Sequence, residues 1–222
     1  MQKFDTPAPI ATVLDIPAGR VRFIAADRAD TAIEVRPADA SKGRDVKAAE
    51  QTKVAYTDGV LRIETSAGNQ YLGASGAVEV TVQLPAGSRI EAKTASAEFR
   101  GVGRLGDVTF EGAQATVKID EAASAHLTLA AGDITIGRLS GPARLTTQKG
   151  DLRITEALRG TVELRTEYGQ IEVGVARGVR ATLDAGTGHG RIHNALDNSD
   201  GAAVGLSIHA TTAYGDIAAR SL

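Results

Sequence analysis

Residues 146–155 read TTQKGDLRIT, and near-copies recur along the chain: AAGDITIG at 130–137, TEYGQIEVG at 166–174 and TAYGDIAAR at 212–220. Each copy has a glycine, a polar residue, and then an apolar–any–apolar triplet. Anchoring on the small residue before the triplet gives Ala97, Ala115, Gly132, Gly150, Gly169, Gly188 and Gly215, spaced 18, 17, 18, 19, 19 and 27. The period is near 18, and the last interval holds an insertion, assigned to NALDNSDGA at 194–202, whose Asn, Asp, Ser and Gly form loops.

The columns of this alignment decide the fold. Two residues after the anchor stand Phe99, Val117, Ile134, Leu152, Ile171, Gly190 and Ile217; four after it stand Gly101, Ile119, Ile136, Ile154, Val173, Ile192 and Ala219. Seven before it are Ile90, Val108, Ala125, Ala143, Val162, Ala181 and Ile208, and five before it Ala92, Phe110, Leu127, Leu145, Leu164, Leu183 and Ala210. The residues between are mainly polar. Alternation of period two on both sides of a turn means two short strands per unit, each with one buried face. So short a unit cannot bury that face alone, whereas units stacked at about 4.8 Å bury the columns as apolar ladders. The pattern predicts an all-β chain: a single-stranded β-solenoid of about seven coils, with glycine permitting the turn and the triplet planting two side chains in the core.

The opening section is less regular. ATVLDIPAGRVRFIAA (11–26) reads as strand, Pro-Ala-Gly turn and strand, and TAIEVRPA (31–38) adds another. KGRDVKAAEQTK (42–53) is a loop or at most one short helix, GVLRIETSAG (59–68) returns to strand, and AVEVTVQLPAG (77–87) is a half-buried strand leading into the repeats. Residues 1–86 are therefore read as a β-rich section capping the solenoid of residues 87–222, the two forming one continuous domain, since no linker-like stretch separates them.

Composition agrees. The 222 residues include 25 Gly, no Trp, 4 Tyr and 4 Phe, so the core is aliphatic around many tight turns. The absence of Cys removes disulfides, thiolate metal sites and Cys nucleophiles, and leans toward a reducing compartment. A formal net charge of −2 with interspersed signs gives no footprint for nucleic acid or anionic membrane. Asp5 and Pro7 interrupt the N-terminus before any signal-peptide core, and no run reaches the roughly 18 apolar residues of a membrane helix, so a cytoplasmic location is expected.

The stretches VEVTVQLPAGS, RIEAKTASAEF, LTLAAGDITI, RLTTQKGDLRI and VELRTEYGQIEV together resemble the bacterial β-strand-repeat "putative adhesin" family, a domain of unknown function. The resemblance covers roughly residues 10–220. It implies a repetitive β-helix-like module, often attached to membrane or secreted proteins, with no catalytic residues to carry over.

Four features are candidate sites. Asp133 and Asp151, one after successive anchors, would stand about 5 Å apart and form a cation ladder; against this, Arg100, Lys118, Arg153 and Arg191 form a basic column on the same outward face, and a solvated salt-bridge lattice is preferred. His189 and His193 lie four apart near Asp184, while His126 and His209 share a column several coils apart; all are read as surface histidines and not as zinc ligands. Asp133, Asp151 and Arg153 could supply the polar half of a polysaccharide-cleaving site, but aromatics are 4% of the chain and the sugar platform is missing. Thr94, Thr147, Thr166 and Thr212 form a column three before the anchor, read as corner packing. AGTGHGR (185–191) does not open a helix and reads as a turn.

The resulting expectation is a non-enzymatic structural or protein-interaction module without cofactor or metal, its partner an unidentified protein or itself. Self-assembly would use the edge of the last coil, TAYGDIAARSL (212–222), and carbohydrate binding or cleavage comes third.

Overall fold

The computed structural model describes residues 1–65, 76–197 and 205–222. The expected insertion at 194–202 and strand at 59–68 therefore lie partly outside the described residues. The chain is all-β, with sixteen strands and one nine-residue helix among the described residues. It divides into two compact units, Met1–Ala115 and Thr116–Leu222.

In the first unit, β1 (Gln2–Asp5), β2 (Ala11–Ala26), β3 (Asp30–Pro37), β4 (Thr52–Thr57), β5 (Val60–Thr65) and β6 (Val78–Pro85) accompany the start of β7 (Arg89–Ala131). β2 runs unbroken through Pro17-Ala18-Gly19 and pairs in parallel with β7, setting Leu14 opposite Ala92, Gly19 opposite Ala97 and Val21 opposite Phe99. Gly19 thus occupies the anchor column, in a stretch the sequence alignment left outside the repeat. A Cβ there would overlap the Val78 carbonyl, which is the close approach that glycine permits. Phe23, Phe99 and Phe110 are fully buried and touch in series, with centroids 5.6 and 5.2 Å apart.

Antiparallel strands finish this unit: β3 pairs β6 and β1, and β4 pairs β5 through Asp58-Gly59. Both turn residues have positive φ, 51° and 76°, as a two-residue hairpin of matching twist requires. The ambiguous polar stretch forms a helix, α1 (Gly43–Gln51), with an acidic residue in its first turn. That residue, Asp45, is buried, accepts the Ala77 N–H at 3.0 Å and faces Arg44 Nε at 3.6 Å.

The second unit consists of parallel rungs. The end of β7 is followed by β8 (Ile134–Leu139), β9 (Ala143–Thr146), β10 (Leu152–Ala157), β11 (Gly160–Tyr168), β12 (Ile171–Val175), β13 (Ala181–His189), β14 (Ile192–Ala195), β15 (Leu206–Tyr214) and β16 (Ile217–Ser221). One ladder runs β7-β8-β10-β12-β16-β14 and the other β7-β9-β11-β15-β13. The aliphatic columns stack as the alternation predicts: Val117, Ile134, Leu152, Ile171 and Ile217 pair in register, each at most 1% exposed.

Two details differ from the sequence alignment. His189 pairs with Tyr214 and Ile192 with Ile217, so the anchor of that rung is Gly190, two residues beyond Gly188. GTGHG offers two glycines, and the pairing selects the one whose Cβ would overlap the Gly215 carbonyl. The order of the last rungs is also exchanged. β15–β16 stacks between β11–β12 and β13–β14, so the C-terminal strands are paired on both sides. The edge expected at 212–222 is occupied, and among the described residues the end rung is β13–β14.

Candidate binding surface

The anchor corner of the second unit is held by three repeated hydrogen bonds. Each anchor glycine N–H donates to the carbonyl preceding the anchor of the next rung: Gly132 to Lys149, Gly150 to Tyr168, Gly169 to Tyr214 and Gly215 to His189, at 2.7–2.9 Å. The Thr column adds a second bond, because Thr166, Thr212 and Thr187 hydroxyls donate to the carbonyls of Gly150, Gly169 and Gly215 at 3.1, 3.1 and 3.0 Å. Thr147, Thr166 and Thr212 are buried, and a hydroxyl there persists because it has a backbone partner. Thr187, missed by the displaced anchor, belongs to the same column.

The Asp column supplies the third bond. Asp133 Oδ1 accepts the Asp151 N–H at 2.9 Å, Asp151 Oδ1 accepts the Gln170 N–H at 2.8 Å, and Asp216 Oδ1 accepts the Arg191 N–H at 2.8 Å. These carboxylates satisfy backbone donors of the following rung. Arg153 pairs with Glu172 at 3.3 Å, not with Asp151, and Arg191 reaches Asp216 at 3.5 Å.

The histidines scatter. His126 and His209 share a column with Arg144 and Glu163 between them, and His209 Nδ1 lies 3.3 Å from Asp184 Oδ2. His193 pairs with Ala218 in β16. Among the described residues no group of three or more His, Asp or Glu converges as metal ligands would.

A feature the alignment did not isolate stands immediately before the anchors. Tyr168, Tyr214 and His189 occupy one column and stack: the tyrosine rings are parallel at 5.0 Å, and His189 lies over Tyr214 at 4.7 Å and 8°. Tyr168 is 53% and Tyr214 47% exposed, so the stack forms a strip on the outside of the rungs. The signal was present as EYGQI, AYGDI and GHGRI, an aromatic ring directly before each glycine. Because the tyrosines use facing sides of their rings on each other, the strip offers ring edges and hydroxyls outward.

Residues 13–220 match the family model described as Toastrack DUF4097. Two solved structures share the fold. A "putative adhesin" from Bacteroides fragilis NCTC 9343 superposes with a TM-score of 0.56 at 11% identity, covering 98% of this chain and 95% of that one. A "putative adhesin" from Parabacteroides distasonis ATCC 8503 gives 0.51 at 13% identity, with the same coverage of 98% and 95%. No curated protein matches this chain. No helix among the described residues is long and apolar enough to cross a membrane.

Proposed function

Since the chain belongs to the Toastrack DUF4097 family over residues 13–220, we propose that it is a non-enzymatic β-solenoid module that binds a partner protein through the lateral surface of its rungs. The parallel, in-register ladders support the solenoid reading, and the adhesin names of the two structural neighbours are in keeping with a binding role. The observation that carries it is the exposed Tyr168–Tyr214–His189 strip. Aromatic rings that are rigid, amphipathic and outside the core are what interfaces use as anchors.

Of the candidate polar half of a polysaccharide-cleaving site, Asp133 and Asp151 accept rung N–H groups and Arg153 pairs with Glu172. The experiment is selection from a random peptide display library on the immobilised protein, with rescreening on Tyr168→Ser and Tyr214→Ser. Enriched peptides that bind about tenfold more weakly to either variant support the reading. No enrichment, or binders indifferent to both substitutions, would refute it.

A second reading, self-assembly, is favoured by the end rung. Ile192 sits in the column of the buried Ile217 yet is 46% exposed, and β14 is exposed throughout. Among the described residues the outer edge of β14 has no partner strand, and an apolar side chain on such an edge is a template for another copy.

A further inference from the structure

Several arginines of the second unit pair with a carboxylate one rung away: Arg138 with Glu156 at 3.6 Å, Arg144 with Glu163 at 2.6 Å, Arg153 with Glu172 at 3.3 Å and Arg191 with Asp216 at 3.5 Å. Arg159, Arg177 and Arg220 are exposed and have no carboxylate partner among the described residues. They stand on three consecutive rungs. The corner after each first strand is closed by one repeated bond, in which the N–H groups of Ser140, Leu158, Ala176 and Leu222 donate to the carbonyls of Ala122, Leu139, Ala157 and Val175. Arg159 and Arg177 directly follow Leu158 and Ala176 in that row. Arg220 lies on the next rung, in register with Gly174.

Arg159 and Arg177 border a groove of about 1070 Å³ whose apolar side is Leu158, Ala176, Val179 and Leu222, with Arg138 also on its cationic side. An adjoining recess of about 240 Å³ contains Arg220, and both are lined by Thr155. Gly137 and Gly174 let neighbouring rungs approach closely beside these recesses, since a Cβ would overlap the carbonyl of Asp120 or Thr155. Arg159 is held in place by its Nε, which donates to the Ser140 carbonyl at 3.0 Å, leaving its terminal nitrogens for a ligand. Glu156, the acidic side chain lining the groove, is already matched by Arg138.

We propose that this groove binds an extended acidic segment of a partner protein, with carboxylates on Arg159, Arg177 and Arg220 and apolar side chains on Leu158, Val179 and Leu222. Arg159 and Arg177, unmatched and one rung apart at a strand spacing of about 4.8 Å, with Arg220 on the next rung three residues back along its strand, select a segment bearing several carboxylates, each able to take the planar fork. The apolar side selects a peptide over a bare polyanion, and the formal net charge of −2 works against nucleic acid. The proposal rests on the chain being a binding module but uses a face separate from the tyrosine strip, so Tyr214→Ser leaves it intact and the two readings fail independently.

The test is fluorescence anisotropy with a labelled eight-residue peptide of alternating Glu and Leu, at about 0.15 M salt, where surface steering is damped. Expected are saturable binding, a loss of about tenfold or more in Arg177→Glu and Arg159→Glu, a smaller loss in Arg220→Ala, and no change in Arg165→Ala, an exposed arginine on β11. The thermal melts of all four variants should match the parent, because the side chains are exposed. No saturable binding, an equal loss in Arg165→Ala, or polyglutamate or inorganic polyphosphate binding as tightly as the Glu-Leu peptide would each overturn the proposal.

Discussion

Tyr168 and Tyr214 lie on adjacent rungs with parallel rings 5.0 Å apart, although the whole β13–β14 rung separates them in sequence. The β15–β16 rung is therefore paired between two rungs that precede it in sequence. It follows that the chain is cross-linkable in one pattern and not another.

Tyr168→Cys with Tyr214→Cys should form a disulfide in this cysteine-free chain, since neighbouring strands at about 4.8 Å bring Cα atoms within bonding range. Tyr168→Cys with His189→Cys, two rungs apart at about 9.6 Å, should not. Mass spectrometry of the oxidised proteins decides it; the reverse result would mean that the rungs stack in sequence order.

Leu152→Asp or Ile171→Asp should unfold the second unit. Both residues are fully buried in the central column, and an unpaired carboxylate there costs on the order of 4 kcal/mol or more. Loss of the β circular-dichroism signal or of the cooperative melt is the readout.

Asp151→Asn should change stability by under about 0.5 kcal/mol, because Asn keeps an oxygen to accept the Gln170 N–H. Asp151→Ala, which removes that acceptor at an exposed site, should cost about 1 kcal/mol. Calcium or chelator should not alter either melt; a loss of several kcal/mol restored by calcium would establish the cation ladder instead.

Gly150→Ala should destabilise by about 1–3 kcal/mol. The glycine has φ 147°, and a Cβ would overlap the Gly132 carbonyl, so the rungs would have to separate at the corner. Denaturant melts should show a lower midpoint with an unchanged slope.

If the end rung assembles, solution mass should rise with concentration, and Ile192→Lys should abolish that rise while Leu222→Lys leaves it in place. A mass constant over the whole range would eliminate the self-assembly reading and leave partner binding.

The all-β class, the period near 18, the Val117-to-Ile217 column and the glycine corner were legible in the residues alone, because alternation and a required glycine leave a trace at every unit, whereas the Thr column, read as corner packing, proved to donate hydroxyls to rung carbonyls. The sequence named Asp133 and Asp151 but not what they do, since the N–H groups they accept belong to a neighbouring rung. It left Gly19 outside the repeat and misplaced one anchor by two residues, where GTGHG contains two candidates. The tyrosine strip and the arginine groove were hidden for a related reason: their members meet only once the rung order is known.

That order was decided by the tertiary structure alone. Rungs built on one pattern are interchangeable to a sequence alignment, since each pairs with any other through the same backbone bonds. What distinguishes them is burial on both sides. The rung carrying Leu206, Ile208, Ala210, Ile217 and Ala219, all at most 1% exposed, fills an interior place. The rung that puts Asn194 opposite Ala219, a polar amide in an apolar column, stands at the end, where that amide is exposed to water.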